Sequence, residues 1–144
     1  MEVKIKRVDP AAVMPRKAHA TDAGFDLVAV SKTVDDDWNA VYGTGLAFEI
    51  PVGYVGLLFP RSSNAKKDLI LSNCVGVLDS GYRGEVMFKF KRQYVRSFER
   101  RKEYEIGDRI GQLIIIPIPD IDFVEVNELS ESERGTGGYG SSGK

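Results

Sequence analysis

The sequence has 144 residues, of which 42% are hydrophobic, and this is enough for one domain with a single sizeable core. Twenty basic and twenty-one acidic residues give a net charge of −1, so we expect neither nucleic acid nor a membrane as a partner. Cys74 is the only cysteine, which excludes an intrachain disulfide and a cysteine-based metal cluster, and its apolar surroundings predict a buried thiol.

The N-terminal residues alternate charged and apolar side chains and lack the apolar run of a signal peptide. The longest apolar run, 113–118, is too short to span a bilayer. We therefore expect a cytoplasmic protein, either of a cell or within an infected cell.

Apolar residues recur with a period of two along most of the chain, which is typical of half-buried strands. The expected elements are, in order, a strand over 3–8, an exposed loop over 34–45, strands over 46–50 and 54–59, a short helix within 62–68, and strands over 86–90, 113–116 and 124–126. The uninterrupted apolar runs 54–59 and 113–116 should be buried on both faces. Many short strands with turn signals between them indicate an all-β jelly roll, sandwich or barrel.

The strand pattern ends near Asn127, which predicts a β-domain over 1–126 and a flexible glycine-rich arm over 127–144. The arm carries groups suited to a nucleotide: a bidentate cation, hydroxyl donors, an aromatic face and glycines that let backbone N–H groups approach phosphate. These residues are Arg134, Gly138, Tyr139, Gly140, Ser141 and Ser142. A disordered tail is the simpler explanation. We expect no P-loop, because 138–144 fits GxxxxGK without the strand and helix that this motif needs.

Four further segments bring polar side chains to strand ends: 21–27, 60–63, 76–84 and 107–113. Each has an ordinary structural explanation, as a turn, a helix N-cap or a hairpin. Each segment also carries side chains that could bind a ligand. Arg61 and Ser62 stand where a strand meets the short helix, a place suited to phosphate. Gln112 is an amide among apolar residues, so it either satisfies backbone groups or faces a ligand.

The order and spacing of these segments resemble the five motifs of the trimeric dUTPase family. The matching residues are 23–27, 60–63, 76–84, 107–113 and 134–143, and the resemblance spans about 17–143. It implies a jelly-roll homotrimer with active sites at subunit interfaces and exchanged C-terminal arms. It also implies Mg²⁺-dependent hydrolysis of dUTP to dUMP and pyrophosphate, which keeps uracil out of DNA and supplies dUMP for dTMP synthesis.

The resemblance assigns a role to each matching residue of the central hairpin. Asp79 would activate the water that attacks the α-phosphate, and the Tyr82 ring would pack under deoxyribose and leave no room for a 2′-hydroxyl. Asn73, together with Gly76 and Val77, would read the uracil edge.

The other motifs would hold the triphosphate and its metal. Arg61, Ser62, Ser63 and Gln112 would contact phosphates, while Asp26 would act on Mg²⁺ through water, the ion being held mainly by triphosphate oxygens. In the arm, Arg134, Ser141 and Ser142 would hold the outer phosphates, Tyr139 would stack on uracil, and Gly138 and Gly140 would line the closed site.

Some positions depart from the family pattern. Ser63 stands where glycine is commoner, Gly111 where alanine is, and Gly81 where an acidic or small residue often sits. Two other functions stay open: a dCTP deaminase of the same fold, which the Asp79–Tyr82 hairpin argues against, and a nucleotide-sensing regulatory protein on the dUTPase fold. His19 is expected to be a surface or structural residue.

Overall fold

A computed structural model of the chain describes residues 1–94 and 101–138. Within these residues the chain forms strands β1 (Lys4–Arg7), β2 (Phe25–Val28), β3 (Ser31–Val34), β4 (Ala40–Gly43), β5 (Leu46–Glu49), β6 (Tyr54–Phe59), a 3₁₀ helix (Ser62–Lys66), β7 (Leu69–Leu71), β8 (Gly76–Leu78), β9 (Met87–Arg92) and β10 (Arg109–Pro117). The expected all-β fold with one short helix is confirmed. No helix in these two ranges is long and apolar enough to cross a membrane.

The strands form two four-stranded antiparallel sheets and one two-stranded ribbon. One sheet has the order β2-β10-β6-β8, the other has the order β3-β4-β9-β7, and β1 pairs with β5. Buried residues from both sheets and from β5 belong to one hydrophobic core. This is the jelly-roll arrangement, in which alternate side chains of each sheet pack inward.

Most expected strands are present, with shifted ends. The prediction for 54–59 matches β6, and 113–116 lies within β10. Burial of these two strands is one-sided, however: in β6 only Gly56 and Leu58 are fully buried, and the alternate residues are half-exposed. The outer face of this sheet is nevertheless apolar, since it bears Val55, Leu57, Val77, Ile114 and Ile116.

Two element predictions are wrong. The segment 34–45 is largely a hairpin, because Ala40 and Tyr42 of β4 are fully buried and only 35–39 forms the connecting turn. Run-length reasoning missed β4, whose apolar residues are few and follow three aspartates. The segment 124–126 is no strand: it lies after β10, the last strand of the described residues, and its side chains are exposed.

The turn at 35–39 is held by one carboxylate. Asp35 accepts hydrogen bonds from the backbone and side-chain amides of Asn39. It also forms an ion pair with Lys89 of β9, with 2.9 Å between Oδ2 and Nζ. The hydrogen bond from Lys89 holds the pKa of Asp35 well below its usual range. At the tip, Trp38 has a φ of 63° and a side chain that is 74% exposed.

Cys74 is exposed, so the prediction of a buried thiol is wrong. The residue lies in the turn between β7 and β8, where its φ of 59° takes the chain through the left-handed region. Most of the neighbouring apolar residues belong to the two strands, while Asn73 and Cys74 of the turn face solvent.

Inward-facing side chains of β4 and β9 form an aromatic cluster with Tyr104, and a group of ion pairs lies beside it. Tyr42, Phe90 and Tyr104 pack with ring centroids 5.6–6.0 Å apart. Beside them Glu103 pairs with Arg92 at 2.7 Å and with Lys32 at 3.3 Å. Burial by itself would raise the pKa of Glu103, but the hydrogen bonds from Arg92 and Lys32 outweigh it and hold that pKa below its usual value.

Gly111 is explained by close packing. It is buried in β10, and a Cβ built there would overlap the ring of Phe88 and lie 3.0 Å from the Phe59 carbonyl oxygen. The Phe88 ring is 1% exposed, so it has little room to move. In this chain the large side chain at 88 therefore requires glycine at 111.

We expect Gly111→Ala to lower the free energy of unfolding by about 1–3 kcal/mol, because it overpacks the core. Urea unfolding followed by circular dichroism measures this loss. Combining it with Phe88→Leu should cost less than the sum of the two single losses, since the smaller side chain makes space. Strictly additive losses would contradict the proposed contact.

Candidate active site

A pocket of about 410 Å³ opens where β2, β6 and β10 bring their polar residues together. Its walls include Asp22 and Gly24 before β2, Asp26 in β2, Arg61 and Ser62 after β6, and Gln112 in β10. The antiparallel register explains the meeting, because Gln112 is opposite both Asp26 and Phe59. Four residues that the sequence nominated, namely Asp26, Arg61, Ser62 and Gln112, are thus adjacent.

Asp26 joins two arginines at the floor of this pocket. Its Oδ1 accepts a 2.7 Å hydrogen bond from Arg61 Nε, and its Oδ2 accepts one of 3.1 Å from Arg109 Nη1. Asp26 and Arg61 have side chains only 15% and 24% exposed, whereas Arg109 is 52% exposed. Arg61 also donates from Nη1 to Ser63 Oγ at 3.3 Å. The Arg61 guanidinium is therefore fixed from two sides.

Gln112 lies against backbone on both sides. Its side chain crosses Gly24, where any Cβ would overlap the amide, and its Nε2 is 3.4 Å from the Pro60 carbonyl oxygen. A side chain at residue 24 would therefore require the Gln112 amide to move. Gln112 thus meets local backbone, one of the two possibilities raised by the sequence, and it also lines the pocket.

The hairpin after β8 carries Asp79 and Tyr82. The Tyr82 amide donates to the Asp79 carbonyl at 3.1 Å, which closes the turn. The Tyr82 ring folds over Gly84, where a Cβ would overlap it, and its hydroxyl donates to the Glu85 carbonyl at 3.0 Å. Asp79 is exposed and Tyr82 is 44% exposed. The hairpin therefore presents an exposed carboxylate near an aromatic ring whose hydroxyl is hydrogen-bonded to the backbone.

This hairpin and the pocket lie at opposite ends of one sheet. Leu78 is opposite Gly56 in β6, while Gln112 is opposite Phe59, three residues further along the same strand. At about 3.3 Å per residue, Asp79 is offset from the Gln112 level by roughly 13 Å along the strands, in addition to the separation of β8 from β10. One chain thus presents two separated groups of site residues.

The remaining nominated residues fall between or beyond these groups. Asn73 is exposed in the turn before β8, Gly76 packs against Leu58, and Val77 lies on the outer face with 64% exposure. Arg134 is exposed and donates from Nε to the Gly137 carbonyl at 2.9 Å. Gly138 is also exposed, while Tyr139, Gly140, Ser141 and Ser142 lie outside the described residues.

The residues that the structure describes include no group of three His, Cys, Asp or Glu side chains able to hold a metal ion. Both Asp26 oxygens already accept hydrogen bonds from arginine. This donor set does not form a protein cage. It fits a Mg²⁺ ion whose ligands are mainly phosphate oxygens and water.

Comparison with known proteins decides the family. A family model described as dUTPase matches residues 11–143. The deoxyuridine 5'-triphosphate nucleotidohydrolase of Nocardia farcinica is 42% identical over 144 residues, 98% of this chain and 85% of the relative. The chain belongs to the dUTPase family.

Solved dUTPases share the fold. That of Staphylococcus bacteriophage 80alpha, solved with dUPNHPP, is 33% identical with a TM-score of 0.84, and the match covers 99% of both chains. A variant from phage phi11 of S. aureus, described as revealing the coordination of a structural Mg(II) ion, is 28% identical with a TM-score of 0.74, covering 89% of this chain and 98% of that one.

Two departures from the commoner dUTPase motifs have a local reason here. Ser63 supplies the hydroxyl that accepts from Arg61, and Gly111 makes room for Phe88. A Cβ at Gly81 would meet nothing within 4 Å, so nothing in the structure explains glycine there.

Sequence reasoning missed Arg109 as a neighbour of the site. Arg109 lies within the fourth dUTPase motif, but its partner Asp26 is 83 residues away, and only the β2–β10 pairing brings them together. Asp22, which with Asp26 is one of the two carboxylates of the segment 21–27, lines the same pocket. Its carboxylate accepts from the His19 amide and lies 3.4 Å from His19 Nδ1, and the exposed His19 is a surface residue as expected.

We expect Asp26→Asn to lower the free energy of unfolding by about 2 kcal/mol, because two guanidiniums lose the charge between them in a partly buried place. Arg109→Gln is the matched control. It removes the more exposed of the two arginines that pair with Asp26 and should lower the free energy of unfolding by less than about 1 kcal/mol. Urea unfolding of both variants tests this order. Equal losses would mean that the partly buried Asp26–Arg61 pair contributes no more to stability than the exposed Asp26–Arg109 pair.

Proposed function

We propose that this protein hydrolyses dUTP to dUMP and pyrophosphate, as its dUTPase family membership and its named relative suggest. The proposal rests on two features of one sheet. One is a pocket lined by a guanidinium, a hydroxyl and an amide, and the other is a hairpin that carries an exposed carboxylate beside an aromatic ring. In the cytoplasm this reaction would keep uracil out of DNA and supply dUMP for dTMP synthesis.

The pocket around Arg61 would bind the phosphates. Nε of Arg61 is engaged by Asp26 and Nη1 by Ser63, which leaves the Nη2 hydrogens without a recorded partner among the described residues. A guanidinium held in this way can bind phosphate oxygens without losing much side-chain freedom. The Ser62 hydroxyl and the Gln112 amide would add neutral donors from the pocket wall.

The Asp79 carboxylate would act as the general base. A water molecule attacks the α-phosphorus, the bond from that phosphorus to the bridging oxygen breaks, and pyrophosphate leaves with the bond electrons. The proton of the attacking water passes to Asp79, whose exposed carboxylate is free to accept it. No covalent enzyme intermediate is needed.

The hairpin would also set specificity. The Tyr82 ring, fixed across Gly84 by its hydroxyl bond to Glu85, would lie under the sugar and fill the space of a 2′-hydroxyl. Backbone groups around Asn73, Gly76 and Val77 would read the uracil edge. The arm, with Arg134, Gly138 and the residues 139–142, would close over the bound nucleotide and exclude water.

Magnesium, when bound to the triphosphate, would neutralise phosphate charge and orient the phosphates. Asp26 and Asp22 line the pocket and would hold water molecules near it. The chain's own part is to hold Arg61 in place through Asp26.

We further propose a homotrimer, in which the pocket of one subunit faces the hairpin of another. The roughly 13 Å offset along the strands separates the two groups within a chain. The sheet face between them is apolar, and Val77 and Ile116 on it are 64% and 39% exposed. An apolar face adjoining an incomplete site is suited to packing against further copies of the chain.

Pyrophosphate release in Mg²⁺ from dUTP, dTTP, dCTP and UTP tests the activity. We expect release from dUTP alone, and release from none would overturn the proposal and favour a nucleotide-binding regulator. Asp79→Asn should lower turnover of dUTP by about 100-fold or more, the scale for losing a general base, with binding retained. Near-normal turnover would contradict the role of Asp79.

Subunit complementation tests the shared site. Asp79→Asn and Arg61→Gln should each be inactive alone. If each site combines two chains, equal amounts coexpressed with different affinity tags should regain about one quarter of wild-type activity by random assortment. The separately purified variants, mixed without exchange, are the control. Absence of recovery in doubly tagged oligomers would place both residues of a site in one chain.

A further inference from the structure

The 3₁₀ helix that follows Arg61 has few internal interactions that could fix its position. None of its residues, Ser62–Lys66, is buried, and its N-cap makes no side-chain capping hydrogen bond. Two backbone bonds of 2.9 Å, from the Asn64 amide to Arg61 and from the Lys67 amide to Asn64, close its turns. A 3₁₀ helix this short has poor hydrogen-bond geometry. Its position must therefore depend on contacts with the rest of the domain.

Tyr104 supplies one such contact from beneath. This residue lies in the segment before β10 and is 2% exposed. Its hydroxyl donates to Asn64 Oδ1 at 3.1 Å, while Asn64 Nδ2 donates to the Leu69 carbonyl at 2.9 Å. Asn64 thus joins the helix to the start of β7 and to the aromatic cluster.

Lys67, just after the helix, makes a second contact with the same segment. Its Nζ donates to the Glu103 carbonyl at 2.8 Å, lies 4.7 Å from the centroid of the Tyr104 ring and is 3.7 Å from Asp108 Oδ2. A cation over a buried ring and a bond to its neighbouring backbone reinforce each other. The helix and residues 103–108 are therefore joined at both Asn64 and Lys67.

Tyr104 is itself firmly placed. Its carbonyl accepts hydrogen bonds from the Tyr42 hydroxyl at 3.0 Å and from Lys32 Nζ at 2.8 Å. Its ring packs against Tyr42 and Phe90. Burial raises the pKa of Tyr104 even though Ser63 and Arg61 act to lower it, so the hydroxyl stays protonated and remains a donor.

We propose that Tyr104 is a positioning residue, whose hydroxyl fixes the helix through Asn64 and so sets the placement of Arg61 and Ser62. The inference rests on the proposed function, since it assumes that these two residues bind phosphate. Movement of the helix would shift Ser63 against Arg61 Nη1 and reorient the guanidinium. Displacements of about 1 Å in a binding group are enough to weaken binding substantially.

The test compares phosphate binding with nucleoside binding. In Tyr104→Phe, which keeps the ring and removes the hydroxyl, the Kd of pyrophosphate in Mg²⁺ should rise about tenfold, the scale of one buried hydrogen bond. The Kd of deoxyuridine, which has no phosphate, should stay within about twofold. Calorimetry on the wild-type oligomer and its variants gives both values without turnover.

Tyr42→Phe is the matched control. It removes another hydroxyl of the same aromatic cluster, equally buried, whose recorded bond goes to the Tyr104 carbonyl and not to the helix. Lys32 still donates to that carbonyl. We expect a loss of stability similar to that of Tyr104→Phe, with both Kd values unchanged.

Asn64→Leu removes the same contact from the helix side, at a residue that is only half-buried. It should weaken pyrophosphate binding at least as much as Tyr104→Phe does, because it removes the bond to Leu69 as well. The double variant should lose less than the sum of the two single losses, because both changes break the same Tyr104–Asn64 bond. Unchanged pyrophosphate binding in Tyr104→Phe, or full additivity in the double variant, overturns the proposal. So does absence of pyrophosphate binding by wild type, whereas binding without dUTP turnover would count against the proposed function alone.

Discussion

The site depends on one carboxylate between two guanidiniums. The Asp26 carboxylate pairs with both Arg61 and Arg109 and so holds the Arg61 guanidinium in place at the pocket wall. The same contact fixes three strands relative to one another, because Asp26 lies in β2, Arg109 begins β10 and Arg61 follows β6. Electrostatics and sheet architecture are therefore coupled at this point, because the pairing of β2 with β10 brings Asp26 to Arg109 and places Gln112 opposite Asp26 at the pocket.

Antiparallel pairing also explains why one chain bears two separated groups of site residues. A hairpin that follows β8 must point toward the end of the sheet opposite the residues that follow β6. Both groups adjoin the same apolar outer face. Assembly through that face would bring complementary ends of different copies together, which makes quaternary structure part of the chemistry as well as of stability.

Much of this organisation could be predicted from the sequence, because period-two patterns and ordered motifs are local signals. The run 54–59 gave β6, and the hairpin motif gave Asp79 beside Tyr82. What failed depended on contacts between residues distant in sequence or on the local geometry of a turn. The strand β4 is buried by β3 and β9, the Asp26–Arg109 pair spans 83 residues, and the exposure of Cys74 follows from a turn geometry that composition does not encode.

The tip of the β3–β4 hairpin affects how this protein can be observed. Trp38 is the only tryptophan of the sequence, and it projects into solvent from a turn that is pinned by Asp35 and Lys89. An indole that is already hydrated in the native state changes its surroundings little when the core unfolds. Its emission would thus follow the hairpin tip and whatever approaches it, while global unfolding is better followed through the backbone or the buried tyrosines.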